Sequence, residues 1–254
     1  MQRYFIPEEN WQEDAVIIDK SDAHHVMRVM RMTEGDTLIC AHPNGLVALC
    51  SIHALETDHV RCLIDEWLDQ TVELPVDVTI VQGLPKGDKM EQVLQKGTEL
   101  GATGFIPFKA DRSVVKWDDK KAHRKLLRYE KIVKEAAEQS HRTRLPHVYE
   151  PMDLATLLQS TGDYDVCIYA YEEEAKTSGP FTSLAAVFQE LKPQSRLLVC
   201  IGPEGGFSPD EATTLKESGF IPVRTGPRIL RTETAALYVL AALSYHLEEL
   251  RCHS

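Results

Sequence analysis

From residue 76 onward, apolar strand-like runs alternate with helix-like ones. The strand-like runs are 76–84, 103–110, 164–172, 196–202 and 220–225, and the helical ones are 86–102, 120–139, 181–192, 208–218 and 233–250. "VDVTIVQGL" and "RLLVCIG" are nearly continuous apolar stretches, the pattern of strands buried on both faces, whereas "KGDKMEQVLQKGTELGA" spaces Met90, Val93, Leu94 and Gly97 as one side of a helix. Such alternation restricts the chain to an α/β fold with a mostly parallel sheet covered on both sides. The first seventy residues differ. "AVIID", "DTLICAHPNGLVALCSIHAL" and "HVRCLIDEWL" read as short strands, and the "HPNG" between two of them is a hairpin signal. A small β-barrel or sandwich is expected there. The polar, proline-ended "DQTVELP" (69–75) marks the boundary, giving domains 1–72 and 73–254.

No apolar run is long enough to span a bilayer, and "MQRYFIPEEN" lacks a secretory signal pattern. The six cysteines form no CxxC pair, which points to free thiols in a reducing cytoplasm and not to disulfides or zinc. The adjacent His24 and His25 suit chelation poorly, so no metal is expected.

A net charge of −11 argues at first against a nucleic-acid partner. Its distribution argues the other way. Residues 109–147 hold twelve Lys or Arg against six Asp or Glu, a local +6, and the rest of the chain carries −17. A phosphate backbone responds to local charge, so this segment is a candidate RNA face, with a solvated basic helix as the alternative. The last helix poses a different question. Residues 234–247 are apolar almost all round, which requires cover from within the subunit or from a second one.

The stretch "IGPEGGFSPDEA" (201–212) joins a strand to a helix through glycines, as phosphate cradles do, but it does not have the GxGxxG spacing of a dinucleotide fingerprint. Ser208 is a natural N-cap, Pro209 fits the first helical position, and Glu211 completes a capping box. Asp210, Glu211 and Glu204 therefore already offset the positive helix end, so the loop suits a neutral or cationic ligand that backbone can approach closely. A second strand-to-helix loop, "TGPRILRTETAA" (225–236), carries two arginines in an apolar setting. In α/β folds two such loops converge on one pocket.

These two motifs together, with "AHHVMRVMRMTEGD" (23–36), "KGDKMEQVLQKGTELGA" (86–102) and "EAAEQSHR" (135–142), resemble the RsmE-type methyltransferases across the whole chain. That family belongs to the SPOUT, or α/β-knot, superfamily and methylates N3 of a uridine in 16S ribosomal RNA. The resemblance implies a PUA-like RNA-binding β-barrel followed by a trefoil-knotted α/β domain, one of the rare exceptions to unthreaded chains. It further implies a cytoplasmic homodimer that uses S-adenosylmethionine, with 16S ribosomal RNA or the small ribosomal subunit as its partner.

Carried onto this sequence, the cofactor pocket comprises Ala170, Tyr171, Ile201, Gly202, Pro203, Glu204, Gly205 and Gly206, with Thr225, Gly226, Ile229, Leu230, Arg231, Thr232 and Thr234. Uracil N3 is protonated at neutral pH, so a cation that stabilises the developing imide anion lowers the barrier. Arg231 is the candidate for that role, with a structural ion pair to Glu233 or Glu204 as its alternative. Glu204 or Glu233 is the candidate general base, or water serves instead. RNA contacts are expected from Lys120, Lys121, Arg124, Lys125, Gln139 and Arg142, and from Arg3, Arg28 and Arg31 in the first domain. Arg28 and Arg31 share a face only if their segment is helical. Two other functions remain open: ribose 2′-O methylation, and a non-catalytic RNA-binding assembly factor.

Overall fold

The computed structural model describes residues 1–70, 72–171 and 182–250, which form two compact units. The first comprises Met1–Glu73 together with Lys134–Leu145, and the second comprises Leu74–Val133 and the residues from Pro146 onward. Cys252 lies outside the described residues. Among those residues no helix is long and apolar enough to cross a membrane.

In the first unit, β1 (Arg3–Phe5), β2 (Ala15–Asp19), β3 (Thr37–Ala41), β4 (Val47–Leu55) and β5 (His59–Leu68) build a five-stranded sheet in the order β1-β3-β4-β5-β2. Every pairing is antiparallel except β1 with β3. The hairpin expected at "HPNG" joins β3 to β4, and Gly45 takes φ +92, where a side chain would be strained. The "HHVMRVM" segment is helical: α1 (Lys20–His24) continues as one wider π turn over His25–Val29. Arg28 sits on that turn and Arg31 follows at φ 53, so helical spacing does not extend to both.

The core of this unit includes Ile18, Val26, Leu38, Cys40, Cys50 and Cys62. Its cysteines are free thiols, and burial pushes Cys62 up to about 12. One buried ion pair closes the unit. The Glu73 carboxylate accepts from the guanidinium of Arg142, from Thr143 N at 2.9 Å and from Arg144 N at 3.1 Å.

The second unit holds seven strands: β6 (Asp77–Gly83), β7 (Gly104–Phe108), β8 (His147–Val148), β9 (Val166–Ala170), β10 (Thr182–Ser183), β11 (Arg196–Ile201) and β12 (Ile221–Arg224). All pair in parallel, in the order β10-β12-β9-β11-β6-β7-β8. The two-residue β8 and β10, and the short α4 (Leu154–Gln159), carry no sequence periodicity and were not expected. The expected helices are present as α2 (Lys89–Glu99), α3 (Asp119–Gln139), α5 (Leu184–Glu190), α6 (Pro209–Glu217) and α7 (Thr232–Ser244), the last continuing as a π turn over Tyr245–Leu250.

Buried residues pack on both faces of the sheet. Val78, Ile80, Leu197 and Val199 meet α2 and α7 residues on one side, and Val81, Leu198 and Cys200 meet Leu215 of α6 on the other. This is why the strand runs read as apolar without alternation. β11 is inserted between β6 and β9, both of which precede it in the chain. The carboxyl end of β11 is therefore flanked on both sides by earlier strands, at the kind of crossing where open α/β sheets hold ligands.

Candidate active site

The "GPEGG" loop leaves β11 against the end of β6. A Cβ on Gly83 would fall 2.4 Å from Pro203 N, so only glycine permits this approach. The loop also folds back on itself, since a Cβ on Gly202 would lie 3.0 Å from the carbonyl carbon of Gly206, which takes φ +66. α6 then starts with the expected capping box. Ser208 Oγ accepts from Glu211 N at 3.1 Å, and Glu211 accepts from Ser208 N at 2.7 Å. Glu211 also accepts from Asp111 N at 2.9 Å, which ties the segment after β7 to the start of α6. With no N–H on Pro209, the Glu211 amide capped by Ser208, and the acidic Asp210 and Glu211 in its first turn, this helix end does not suit an anion.

Thr232, the first residue of α7, joins three segments. Its hydroxyl donates to Gly202 O at 2.5 Å and accepts from Gln82 Nε2 at 2.7 Å. Both partners are buried, and Gln82 is fully so.

A cavity of about 580 Å³ opens at this junction. It is lined by the expected Ala170, Tyr171, Ile201, Gly202, Pro203, Glu204, Gly206, Thr225, Ile229, Leu230, Arg231 and Thr232. Three expected residues, Gly205, Gly226 and Thr234, are not part of its wall. The sequence reading missed six that are: Lys89, Arg112, Phe207, Pro209, Arg228 and Ala235. Phe207 and Pro209 follow directly from the glycine motif and could have been included with it. Lys89 and Arg112 come from separate segments; Lys89 lies within the "KGDKMEQVLQKGTELGA" motif but is not singled out there, and Arg112 counts only as part of the basic segment.

Lys89 changes the roles open to both candidate bases. Its ammonium lies 2.9 Å from Glu204 Oε1, which also accepts from Lys86 N at 3.1 Å, and 3.8 Å from Glu233 Oε2. Partial burial alone would raise the Glu204 carboxyl, but the Lys89 and Lys86 bonds outweigh it and hold the group below the usual carboxylate range. The Lys89 ammonium is held up by the same hydrogen bond. Glu233 is not on the cavity wall, and among the described residues its Oε2 takes no hydrogen bond. Neither carboxylate pairs with Arg231. The Arg231 side chain makes no hydrogen bond or ion pair within the described residues, which leaves its guanidinium free at the cavity wall.

The expected RNA contacts separate into two groups. Lys120 and Arg124 are exposed and Lys121 is half-buried on α3, and none of the three side chains has an ion-pair partner among the described residues. Lys125 is engaged, 3.6 Å from Glu91 and 5.7 Å over the Tyr129 ring. Gln139, Arg28 and Arg31 are exposed, the last two flanking the exposed Val29 and Met30. Arg3 and Arg142 are each only 3 % exposed. Arg3 donates to Arg142 O at 2.9 Å and to Gln70 Oε1 at 2.7 Å, and Arg142 is bound to Glu73. These two guanidiniums are buried inside the first unit, so structural roles replace the surface contacts expected of them.

Comparison with known proteins gives this geometry a family. Residues 72–244 match the RNA methyltransferase domain, and residues 18–65 match the RNA methyltransferase PUA domain. The ribosomal RNA small subunit methyltransferase E of Bacillus subtilis (strain 168) is 49 % identical over 254 residues, covering 99 % of each chain. A crystal structure described as that of a hypothetical protein superposes with a TM-score of 0.90 at 46 % identity, covering 98 % of this chain and 100 % of the other. The ribosomal RNA small subunit methyltransferase E from Neisseria gonorrhoeae, solved bound to S-adenosyl methionine, superposes with a TM-score of 0.83 at 27 % identity, covering 97 % of this chain and 98 % of that one. A five-stranded N-terminal unit matching the PUA domain, ahead of a parallel α/β unit with this cavity, fits that pattern across the full length, and the chain belongs to the RNA methyltransferase family that includes ribosomal RNA small subunit methyltransferase E.

Proposed function

We propose that this chain is a cytoplasmic, S-adenosylmethionine-dependent methyltransferase that modifies N3 of a uridine in the 16S RNA of the small ribosomal subunit. The observation that carries this reading is the cavity at the ends of β9 and β11, walled by glycine-loop backbone and by a free Arg231. Its volume of about 580 Å³ lies in the range of small-molecule sites. The residues present fit the donor. Glu204 is the one carboxylate among the described residues of the wall and suits a sulfonium, while the glycines Gly202 and Gly206 would let a ligand approach the backbone closely. The closed helix end of α6 disfavours a dinucleotide pyrophosphate.

S-Adenosylmethionine, when bound, supplies an electrophilic methyl carbon. The protein's own task is then to orient the uracil and make N3 nucleophilic, and orientation accounts for much of the rate in such a displacement. Arg231 would stabilise the imide anion through O2 or O4. Glu204, held ionised by Lys89, is a weak base, and Glu233 is not part of the wall. These positions favour water as the route by which the N3 proton leaves. N3 sits on the Watson–Crick edge, so the uridine must be unpaired when it enters.

The knot and the dimer belong to the same reading. Insertion of β11 between two earlier strands fits a threaded chain. Thr234, Tyr238, Ala241 and Tyr245 form an exposed row along α7, with Tyr238 42 % and Tyr245 57 % exposed, which fits a face covered by a second copy. The test is methyl transfer to small ribosomal subunits lacking the modification, followed by nuclease digestion and mass analysis of the product nucleoside. Methyl on the uracil base is expected. Methyl on the ribose, or no transfer together with no cofactor binding by calorimetry, would overturn the reading.

A further inference from the structure

Among the described residues, the charge on the cavity wall does not balance for the methyl donor alone. Lys89 and Glu204 offset each other at 2.9 Å. Three guanidiniums remain on the wall, those of Arg112, Arg228 and Arg231. Arg228 is exposed and, like Arg231, makes no hydrogen bond or ion pair with the described residues, and Arg112 gives a single N–H to Gly205 O at 3.0 Å. S-Adenosylmethionine carries a sulfonium and an ammonium against one carboxylate, so it is itself a net cation. A surplus of positive wall charge opposes such a ligand unless an anion shares the cavity.

With Arg231 assigned to the uracil, Arg112 and Arg228 are left over. They approach from separate segments, the loop after β7 and the loop before α7. Arg112 is held in place: beyond its own bond to Gly205, its neighbour Asp111 accepts from Ser208 Oγ at 2.8 Å and donates its N–H to Glu211 at 2.9 Å. A guanidinium fixed at the backbone but with free N–H groups is suited to bidentate phosphate contact without a large ordering cost.

We propose that Arg112 and Arg228 clamp a phosphodiester beside the target uridine and so position that nucleotide in the cavity. This rests on the methyltransferase reading and extends it from the base to the RNA backbone. Arg228→Gln is the cleaner perturbation, because Arg228 has no partner among the described residues, and Arg228→Lys and Arg112→Gln accompany it. Three quantities are measured: KM and kcat for unmodified small ribosomal subunits, affinity for S-adenosylhomocysteine, and the salt dependence of binding to 16S RNA without turnover. Each Gln variant is expected to raise KM about tenfold and to lower the salt slope by about 0.7 for the lost phosphate contact. kcat is expected to stay within about threefold and S-adenosylhomocysteine affinity within about twofold, with partial recovery of KM in Arg228→Lys, because the clamp contacts the RNA and not the donor. Unchanged KM and salt slope would overturn the clamp, and so would a loss confined to S-adenosylhomocysteine affinity, which would assign the arginines to the donor's carboxylate. If the wild type transfers no methyl group, the functional reading fails, and the salt slopes still decide the clamp independently.

Discussion

Thr232→Val removes one oxygen from the junction of β6, the glycine loop and α7 while keeping the side-chain volume. In the wild type that hydroxyl donates to Gly202 O at 2.5 Å and accepts from Gln82 Nε2 at 2.7 Å. Valine can do neither. Gly202 O is left buried without its donor, and Gln82, fully buried and with no partner for its Oε1 among the described residues, keeps there only the bond from Nε2 to Gly83 O. A buried polar group left unsatisfied costs about 1–3 kcal/mol, so one complete loss and one partial loss amount to about 3 kcal/mol. For a unit of this size that corresponds to a fall in Tm of roughly 6–12 °C. The cost falls on the wall of the cavity, so S-adenosylmethionine affinity should drop with stability, by about fivefold or more, as Gly202 and Pro203 lose their mooring. Thr232→Ser keeps the hydroxyl and deletes one methyl group, at about 1 kcal/mol, and should retain affinity. Calorimetric melting and cofactor titration of the three proteins decide the matter. A loss below about 2 °C in Thr232→Val, or equal losses in the Ser and Val variants, would refute the hydroxyl as the joint.

Arg231→Ala should lower kcat about a hundredfold while S-adenosylhomocysteine affinity changes by less than about threefold. Equal losses in both would return Arg231 to a cofactor-holding role. Reversing Lys120, Lys121 and Arg124 together should weaken 16S RNA binding and flatten its salt dependence, and an unchanged slope would make that part of α3 a solvated face. The first unit should respond to pH from both sides. Burial would raise the Glu73 carboxyl, but Arg142 and the Thr143 and Arg144 amides outweigh it and hold the group low, so its stabilisation is present above the unfolded carboxyl range and fades as pH falls through its folded value. Burial pushes Glu138 up to about 7 despite Lys134, so its contribution declines as pH rises from about 4.5 to 7. Glu138→Gln should remove that decline between about pH 4.5 and 7 in a urea-melting series, and a decline that persists unchanged in the variant would assign it elsewhere.

The parts of this protein legible in its sequence are those whose causes are local. Strands buried on both faces must be apolar throughout, so β6 and β11 announced a parallel sheet, and the capping box at Ser208 and Glu211 ruled out an anion site. Arg3 and Arg142 show where that legibility ends. A sequence displays their charge but not their burial, and the carboxylate that makes Arg142 structural is Glu73, 69 residues away. The same limit hid the extent of the first unit. α3 keeps its helical period without a break through Val133 and Lys134, yet the chain changes unit between them: Lys134 is held by Asp22, 112 residues earlier in the sequence, and Ala137 is buried among Phe5, Ile39 and Val47. At the cavity the two glycine motifs supplied most of the wall, since their spacing is dictated by backbone approach. Lys89 lies in the "KGDKMEQVLQKGTELGA" motif, which stands out for its apolar helical spacing and its family resemblance and not for this lysine. Its meaning depends on Glu204 and Glu233, which reach it only once β11 has been inserted beside β6. The chemistry at this site is therefore distributed over segments that the topology alone brings together, and the residue that holds Glu204 ionised lies on α2, far from either glycine motif in the sequence.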